Sequence, residues 1–120
     1  MANPHLGVFE QILLFALVEI GEEAYGVTIK RVVEKRTGQD VSPGGIYVAM
    51  ERMAARGLVS SRFGESTPER GGRRKKFYSL EPAGAKALMR SYDTLNKMAQ
   101  GLAPKLAQLC SAMTTPTSDS

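Results

Sequence analysis

The stretch that decides the fold is SPGGIYVAMERMAARG, residues 42–57. Serine is a preferred helix N-cap and proline is favoured at the first helical position, so Ser42-Pro43 predicts the start of a helix. Apolar residues then recur at spacings of three and four, which is typical of a buried helix face: Ile46, Ala49, Met50 and Met53. Gly57 suits the position just after a helix end. We therefore predict a helix from about Pro43 to Arg56.

Two further helices are predicted before this one and a hairpin after it. Helical spacing of apolar residues indicates a first helix from Leu6 to Gly21 and a second from about Glu22 to Thr37. The segments 58–63 and 75–80 are rich in β-branched and aromatic residues, and a long Gly-containing loop separates them, which predicts a β-hairpin. Three helices followed by a hairpin with a basic loop is the element order of a winged helix-turn-helix domain.

The spacing of apolar residues in the C-terminal third predicts one long amphipathic helix that begins near Pro82. Gly101 and Pro104 interrupt its pattern, so we expect a kink or a break near Ala103. From Ser111 onward Ser, Thr, Pro and Asp dominate, which is typical of a disordered tail. The predicted fold class is mainly α with a small hairpin. The predicted units are a winged helix-turn-helix domain at 6–80, a dimerisation helix at 81–110 and a disordered tail at 111–120.

The positive charge is concentrated in one segment. The net charge is +4, yet residues 1–24 contain four acids and no Lys or Arg, whereas residues 70–76 hold five basic residues in seven. Such a patch is the form that a polyanion-binding surface takes. The longest apolar run, residues 12–18, is too short to span a bilayer, so no membrane partner is expected. A single cysteine and the lack of a targeting signal lead us to expect a cytoplasmic location.

Two arginines lie on the outer face of the predicted third helix. Arg52 and Arg56 there can reach phosphates or guanine edges, and Gly44 leaves the helix start bare for a phosphate. The alternative for the arginines is an ordinary solvated helix face. The alternative for the basic segment is a strand edge protected by charge against aggregation.

Four segments in order, EAYG (23–26), SPGGIY (42–47), RGLVSS (56–61) and RGGRRKKFYSL (70–80), resemble the PadR family of bacterial transcriptional regulators. The resemblance covers about Leu6 to Arg90 and is to the short subgroup with a single C-terminal helix. It implies that Tyr47 and its neighbours face DNA and that residues 70–76 form the wing. The chain departs from the family at Val48, where proline is usual, at Glu81, where threonine is usual, and at Glu51, which leaves open which bases are read.

The candidate DNA-binding residues are Ser42, Gly44, Tyr47, Arg52, Arg56, Arg70, Arg73, Arg74, Lys75 and Lys76. The last helix carries an apolar stripe that is longer than a domain this small can cover, so we expect it to form a dimer interface. The residues of the stripe are Leu88, Tyr92, Leu95, Met98, Leu102, Leu106 and Leu109. Tyr92, Leu95 and Met98 also suit a pocket for a small aromatic or otherwise apolar effector. The alternative is that these three simply pack the interface.

The leading hypothesis is a dimeric, sequence-specific transcriptional regulator that represses from a double-stranded operator and is released by a small-molecule signal. The alternative is a winged-helix module that binds proteins without sequence-specific DNA binding. An enzyme is not expected, because no carboxylate pair, nucleophile with base or phosphate-cradling loop appears at usable spacing. With His5 as the single histidine, neither a metal site nor a cofactor is expected.

Overall fold

The computed structural model of the chain describes residues 5–64 and 74–114. These residues form, in chain order, α1 (Val8–Ile20), α2 (Gly26–Thr37), α3 (Pro43–Ala55), β1 (Val59–Phe63), β2 (Lys76–Leu80), α4 (Pro82–Ala99) and α5 (Ala103–Thr114). A single 3-10 turn, Gly21–Glu23, connects α1 to α2. The predicted fold class, mainly α with one small hairpin, is confirmed.

A polar network fixes the turn between α2 and α3. Gly38 ends α2 in the left-handed conformation, with φ at 72°, and its N–H donates to the Glu34 carbonyl. The ammonium of Lys30 donates to the carboxylates of Glu34 and Asp40, at 2.5 and 3.0 Å, and to the Val41 carbonyl at 2.7 Å. Since these bonds span the whole connection, they hold the start of α3 in a defined position relative to α2.

The core lies between α1, α2 and α3 and is closed by the hairpin and the start of α4. The largest fully buried side chains are Leu13, Leu14, Ile29, Ile46, Met50, Met53 and Leu58. The four predicted core residues of α3 are all buried, as expected from their spacing. Because one face of α3 is committed to the core, the opposite face is turned to solvent.

The hairpin is antiparallel, with Val59 opposite Leu80 and Phe63 opposite Lys76. β2 is attached to the helices through Tyr78, whose ring is buried and whose backbone N–H donates to the Ala24 carbonyl at 2.8 Å. An isolated two-stranded hairpin is at best marginally stable in water. These contacts therefore hold the hairpin against the helical core.

The first turns of α4 belong to the core, which corrects one predicted interface residue. Gly84, Ala87 and Leu88 are buried, and Leu88 is only 5% exposed within its own chain. The prediction that Leu88 lies in the dimer stripe is therefore wrong. Helical spacing alone continues the apolar stripe without showing where the chain's own core ends.

The rest of α4 and all described side chains of α5 are exposed. Every described residue from 92 to 112 is exposed, and the radius of gyration is 18.5 Å, against about 14 Å for a compact domain of this length. The helical conformation is interrupted between α4 and α5 at residues 100–102, where Gly101 has a φ of 77°. The predicted interruption is thus a break, and the single helix predicted at 81–110 is two helices.

The C-terminal boundary also differs from the prediction. α5 continues to Thr114, so residues 111–114 are helical and not part of a disordered tail as predicted, and residues 115–120 lie outside the described residues. Within the described residues, no helix is both long enough and apolar enough to cross a membrane.

Candidate nucleic-acid interface

The start of α3 is capped and open. The Ser42 hydroxyl accepts a hydrogen bond from the Gly45 N–H at 2.9 Å, as an N-cap serine should. A Cβ built at Gly44 would meet no heavy atom within 4 Å. The backbone at the positive end of the helix is therefore accessible to an anion. Ser42 and Gly44 thus lie together at one exposed end of α3.

The outer face of α3 is solvent-exposed beyond that cap, as predicted. Tyr47 is 52% exposed and Val48 is 49% exposed, while Arg52 is exposed and has no ion pair with any described residue. Glu51 lies beside them and is partly buried. Tyr47 and Arg52 are therefore available to a partner that approaches this face.

Arg56 is not part of that available set. It caps the C-terminal end of α3, and its guanidinium donates to the Glu10 carboxylate at 3.2 Å and to the His5 carbonyl at 2.6 Å. These bonds tie the end of α3 to the start of α1. The residue is nevertheless exposed, so a DNA contact by Arg56 stays a prediction, and it would compete with a bond to a residue 46 positions away in sequence.

The described part of the wing places its cations over aromatic rings. The Arg74 guanidinium donates to the Gly64 carbonyl at 2.9 Å and lies 5.4 Å from the Phe63 ring centroid. The Lys75 ammonium lies 4.5 Å from the ring centroid of Tyr25, at the start of α2. These contacts orient both cations without neutralising them. The remaining predicted wing residues, Arg70 and Arg73, lie outside the described residues.

Lys76 differs from Arg74 and Lys75, the other wing cations that the structure describes, because it has an anionic partner. Its ammonium lies 2.9 Å from the Glu51 carboxylate, which also accepts the Tyr78 hydroxyl at 2.8 Å. The hydrogen bond from Lys76, followed by that from Tyr78, lowers the pKa of Glu51 below its ordinary value. Desolvation, with the hydrogen bond to Glu51, raises the pKa of Tyr78 well above its ordinary value. This cluster joins α3 to β2.

The sequence analysis missed two members of this surface. Glu51 was noted only as a departure from the family pattern, and Arg62 was not considered. The Arg62 guanidinium lies 4.6 Å from the Phe77 ring centroid and donates to the Glu22 carbonyl at 3.2 Å. Period-two spacing puts Lys76 and Tyr78 on one strand face. No local pattern pairs either of them with a glutamate 25 or more residues away.

Two of the three residues predicted for an effector pocket, Tyr92 and Leu95, line a groove between α1 and α4. It encloses about 370 Å³, and Phe15, Tyr92, Leu95 and Ala99 are among its lining residues. The Phe15 and Tyr92 rings meet edge to face at a centroid distance of 6.0 Å. Met98 does not line this groove, because six residues at about 100° each turn it some 120° from Tyr92. A place for Met98 in a pocket between paired helices stays a prediction.

The groups needed for a metal site are not found together in the part of the chain that the structure describes. No group of three or more His, Cys, Asp or Glu side chains there is placed to hold a metal ion.

Comparisons with known proteins agree with this architecture. A model of the transcriptional regulator PadR-like family matches residues 13–90, which is more than half of the chain. No curated protein matches the chain in sequence. A PadR-like transcriptional regulator from Bacillus cereus is 25% identical with a TM-score of 0.64, over 85% of this chain and 93% of that one.

Two further solved structures support the fold. A proposed transcriptional regulator from Thermoplasma acidophilum is 24% identical with a TM-score of 0.68, over 85% of this chain and 92% of that one. PadR of Bacillus subtilis, solved in complex with operator DNA, is 20% identical with a TM-score of 0.61, over 72% of this chain and 48% of that one. The family match, with the winged helix-turn-helix architecture, assigns this chain to the PadR-like family of transcriptional regulators, which are DNA-binding proteins and not enzymes.

Proposed function

We propose that the chain is a dimeric, sequence-specific DNA-binding regulator that represses from an operator and is released by a small-molecule signal. One observation carries the DNA-binding part of this proposal. The exposed outer face of α3 and the described end of the wing, residues 74–76, form one continuous surface, since the Lys76 ammonium lies 2.9 Å from Glu51 and 5.7 Å from the Tyr47 ring centroid. A helix and a wing side by side suit a major groove and its adjacent backbone.

Within this surface we assign different roles to α3 and to the wing. Arg52 and Tyr47 are proposed to meet base edges, because arginine is the usual partner of guanine and both side chains are exposed. Arg74 and Lys75 are proposed to meet phosphates, which carry no sequence information. The complex of Bacillus subtilis PadR with operator DNA supports transferring this mode of binding to the present chain.

The dimer part of the proposal rests on the projecting C-terminal helices. Apolar side chains there are between 49% and 69% exposed: Tyr92, Leu95, Met98, Leu102, Leu106 and Leu109. A contiguous apolar stripe of this kind marks an interaction site. A helix of 12 residues is also marginal in water without tertiary packing, and the described side chains of α5 have none that buries them. A second copy of the chain supplies the missing packing.

The effector part of the proposal rests on the groove between α1 and α4. Its apolar walls and one phenol, Tyr92, suit a small aromatic compound. The alternative is that a partner subunit fills the groove and the same side chains only pack. A ligand there releases DNA only to the extent that it prefers a dimer geometry with mismatched half-site spacing. We propose repression as the direction of control because the chain resembles this family of regulators.

The experiment is a selection of binding sites from random duplex DNA by the purified chain. We expect an enriched sequence with two-fold symmetry, half-sites about 10 base pairs apart and two chains per duplex in sedimentation. Arg52→Ala should shift the enriched sequence. The matched control, Arg36→Ala, should leave the enriched sequence unchanged, because Arg36 lies about 15 Å along α2 from the N-terminal end of that helix, which is the end next to the wing. No enrichment, together with a weak salt dependence of any binding, would favour the protein-binding alternative.

A further inference from the structure

The Lys76 side chain from β2 lies in a cage built by residues of two other elements, α3 and β1. The Glu51 carboxylate from α3 is 2.9 Å from its ammonium, and the ring centroids of Phe63 in β1 and Tyr47 in α3 are at 5.3 and 5.7 Å. Only 23% of the Lys76 side chain is exposed. A carboxylate and two aromatic faces together stabilise a cation. Lys76 is thus held inside the fold, although it belongs to the most basic segment of the sequence.

Arg74 and Lys75 do not share this arrangement. Arg74 is bonded to a backbone carbonyl and Lys75 to an aromatic face, so both keep a full positive charge toward solvent. The charge of Lys76, in contrast, is cancelled by Glu51 at contact distance. The raised pKa of Lys76 and the lowered pKa of Glu51 agree with a pair in which both groups are charged. The basic segment therefore offers one fewer cation to a polyanion than its sequence suggests.

We propose that Glu51 is a positioning residue that keeps Lys76 away from DNA phosphates and fixes the wing to the outer face of α3. The proposal rests on the proposed DNA-binding function and deepens it. By cancelling one wing cation, Glu51 lowers the sequence-independent part of the affinity, which comes almost entirely from phosphate contacts. Because phosphate contacts are common to all duplexes, a larger share of the remaining affinity then comes from base contacts.

The Glu51 carboxylate also fixes the position of the hairpin relative to α3. Oε2 of Glu51 accepts from both Lys76 and Tyr78, two residues that point to the same face of β2. This bridge joins the hairpin to the middle of α3, where the exposed residues Tyr47 and Arg52 lie one turn before and one residue after Glu51. A carboxylate also accepts hydrogen bonds from cytosine or adenine amino groups. In this structure Lys76 and Tyr78 already bind the Glu51 carboxylate, so they compete with a base for it.

The first test measures DNA binding by Glu51→Gln, which keeps an oxygen acceptor for Tyr78 and removes the charge that holds Lys76. We expect affinity for an arbitrary duplex to rise about five-fold near 0.15 M salt, and the log-log salt slope to steepen by about 0.9. The matched control is Glu19→Gln, which releases Arg36 from an ion pair at the far end of α2. It should leave both quantities unchanged. In Glu51→Gln/Lys76→Gln the gain should disappear.

An unchanged slope in Glu51→Gln would overturn the proposal, and so would a gain that persists in the double variant, since the released lysine would not be its cause. A change in preferred bases at unchanged slope would likewise overturn it and make Glu51 a base-contacting residue. The second test needs no DNA: acetylation of lysines by acetic anhydride, which transfers an acetyl group to an accessible amine and releases acetate, followed by mass spectrometry. Lys76 should react several-fold more slowly than exposed Lys97 in the wild type and lose most of this protection in Glu51→Gln. Equal rates in the wild type would overturn the proposal whether or not the chain binds DNA.

Discussion

Replacing Gly84 by alanine should destabilise the chain more than any other single methyl addition at its described glycines. A Cβ at this position would lie 2.1 Å from the Leu58 carbonyl oxygen and 2.9 Å from Cδ1 of Leu80. Ordinary carbon–oxygen contacts are no closer than about 3.3 Å, so α4 would have to move by about 1 Å. The Glu81 N–H donates to the same Leu58 oxygen at 3.0 Å, so the movement also disturbs that hydrogen bond.

The expected loss follows from these two effects. Overpacking a core costs about 1–3 kcal/mol, and a buried polar group left without its partner costs about 1–3 kcal/mol more. The better helix propensity of alanine offsets up to about 1 kcal/mol. We therefore expect the free energy of unfolding to fall by about 2–5 kcal/mol. With an unfolding entropy of about 0.25 kcal/mol/K for a domain of this length, the Tm should fall by about 8–20 °C.

The assay is thermal unfolding followed by circular dichroism at one fixed protein concentration, because the stability of a dimer depends on concentration. Gly26→Ala is the matched control, since a Cβ at Gly26 meets no heavy atom within 4 Å. We expect that variant to stay within about 1 kcal/mol of the wild type. If Gly84→Ala melts as the control does, the close packing of α4 on Leu58 is not as described.

Four other predictions concern the proposed interface, dimer and pocket. Replacing Arg74 and Lys75 by alanine should weaken binding to all duplexes alike and reduce the salt slope by up to about 2, and an unchanged slope would exclude phosphate contacts. Arg52→Ala should change the preference among operator variants by about 1–3 kcal/mol, whereas an equal loss for every sequence would make Arg52 a phosphate contact. Truncation after Arg90 should give a monomer in sedimentation with weak operator binding, and a persistent dimer would contradict the assignment of the interface. A planar aromatic compound that releases operator from the wild type should do so less well with Tyr92→Ala, and equal release from both would place the effector elsewhere.

Local signals in the sequence predicted the elements of the fold well. Ser42-Pro43 fixed the start of α3 because capping and proline placement depend on neighbouring residues only. The spacing of Ile46 and Met53 identified the buried face for the same reason. The hairpin was predicted to within one residue at its ends, since two short segments with β-branched or aromatic residues flank a loop that contains Gly and Pro.

Such local signals could not predict contacts between residues that are distant in sequence. The bonds from Arg56 to Glu10 and from Tyr78 to Glu51 span 46 and 27 residues, and nothing near either residue indicates them. The sequence pattern of α4 likewise does not indicate that the missing side chain of Gly84 lets the helix approach Leu58. Leu88 was assigned to the wrong surface because periodicity gives the direction of a side chain but not what it meets.

The central claim, that the α3 and wing surface reads DNA sequence, is tested most directly by comparing two affinities. The wild-type chain is titrated with its selected operator and with a scrambled duplex of equal length, from about 50 to about 200 mM salt. The account predicts that the operator binds at least about 10³-fold more tightly, and that both affinities fall steeply with salt. Equal affinities for the two duplexes, or binding nearly independent of salt, would contradict it.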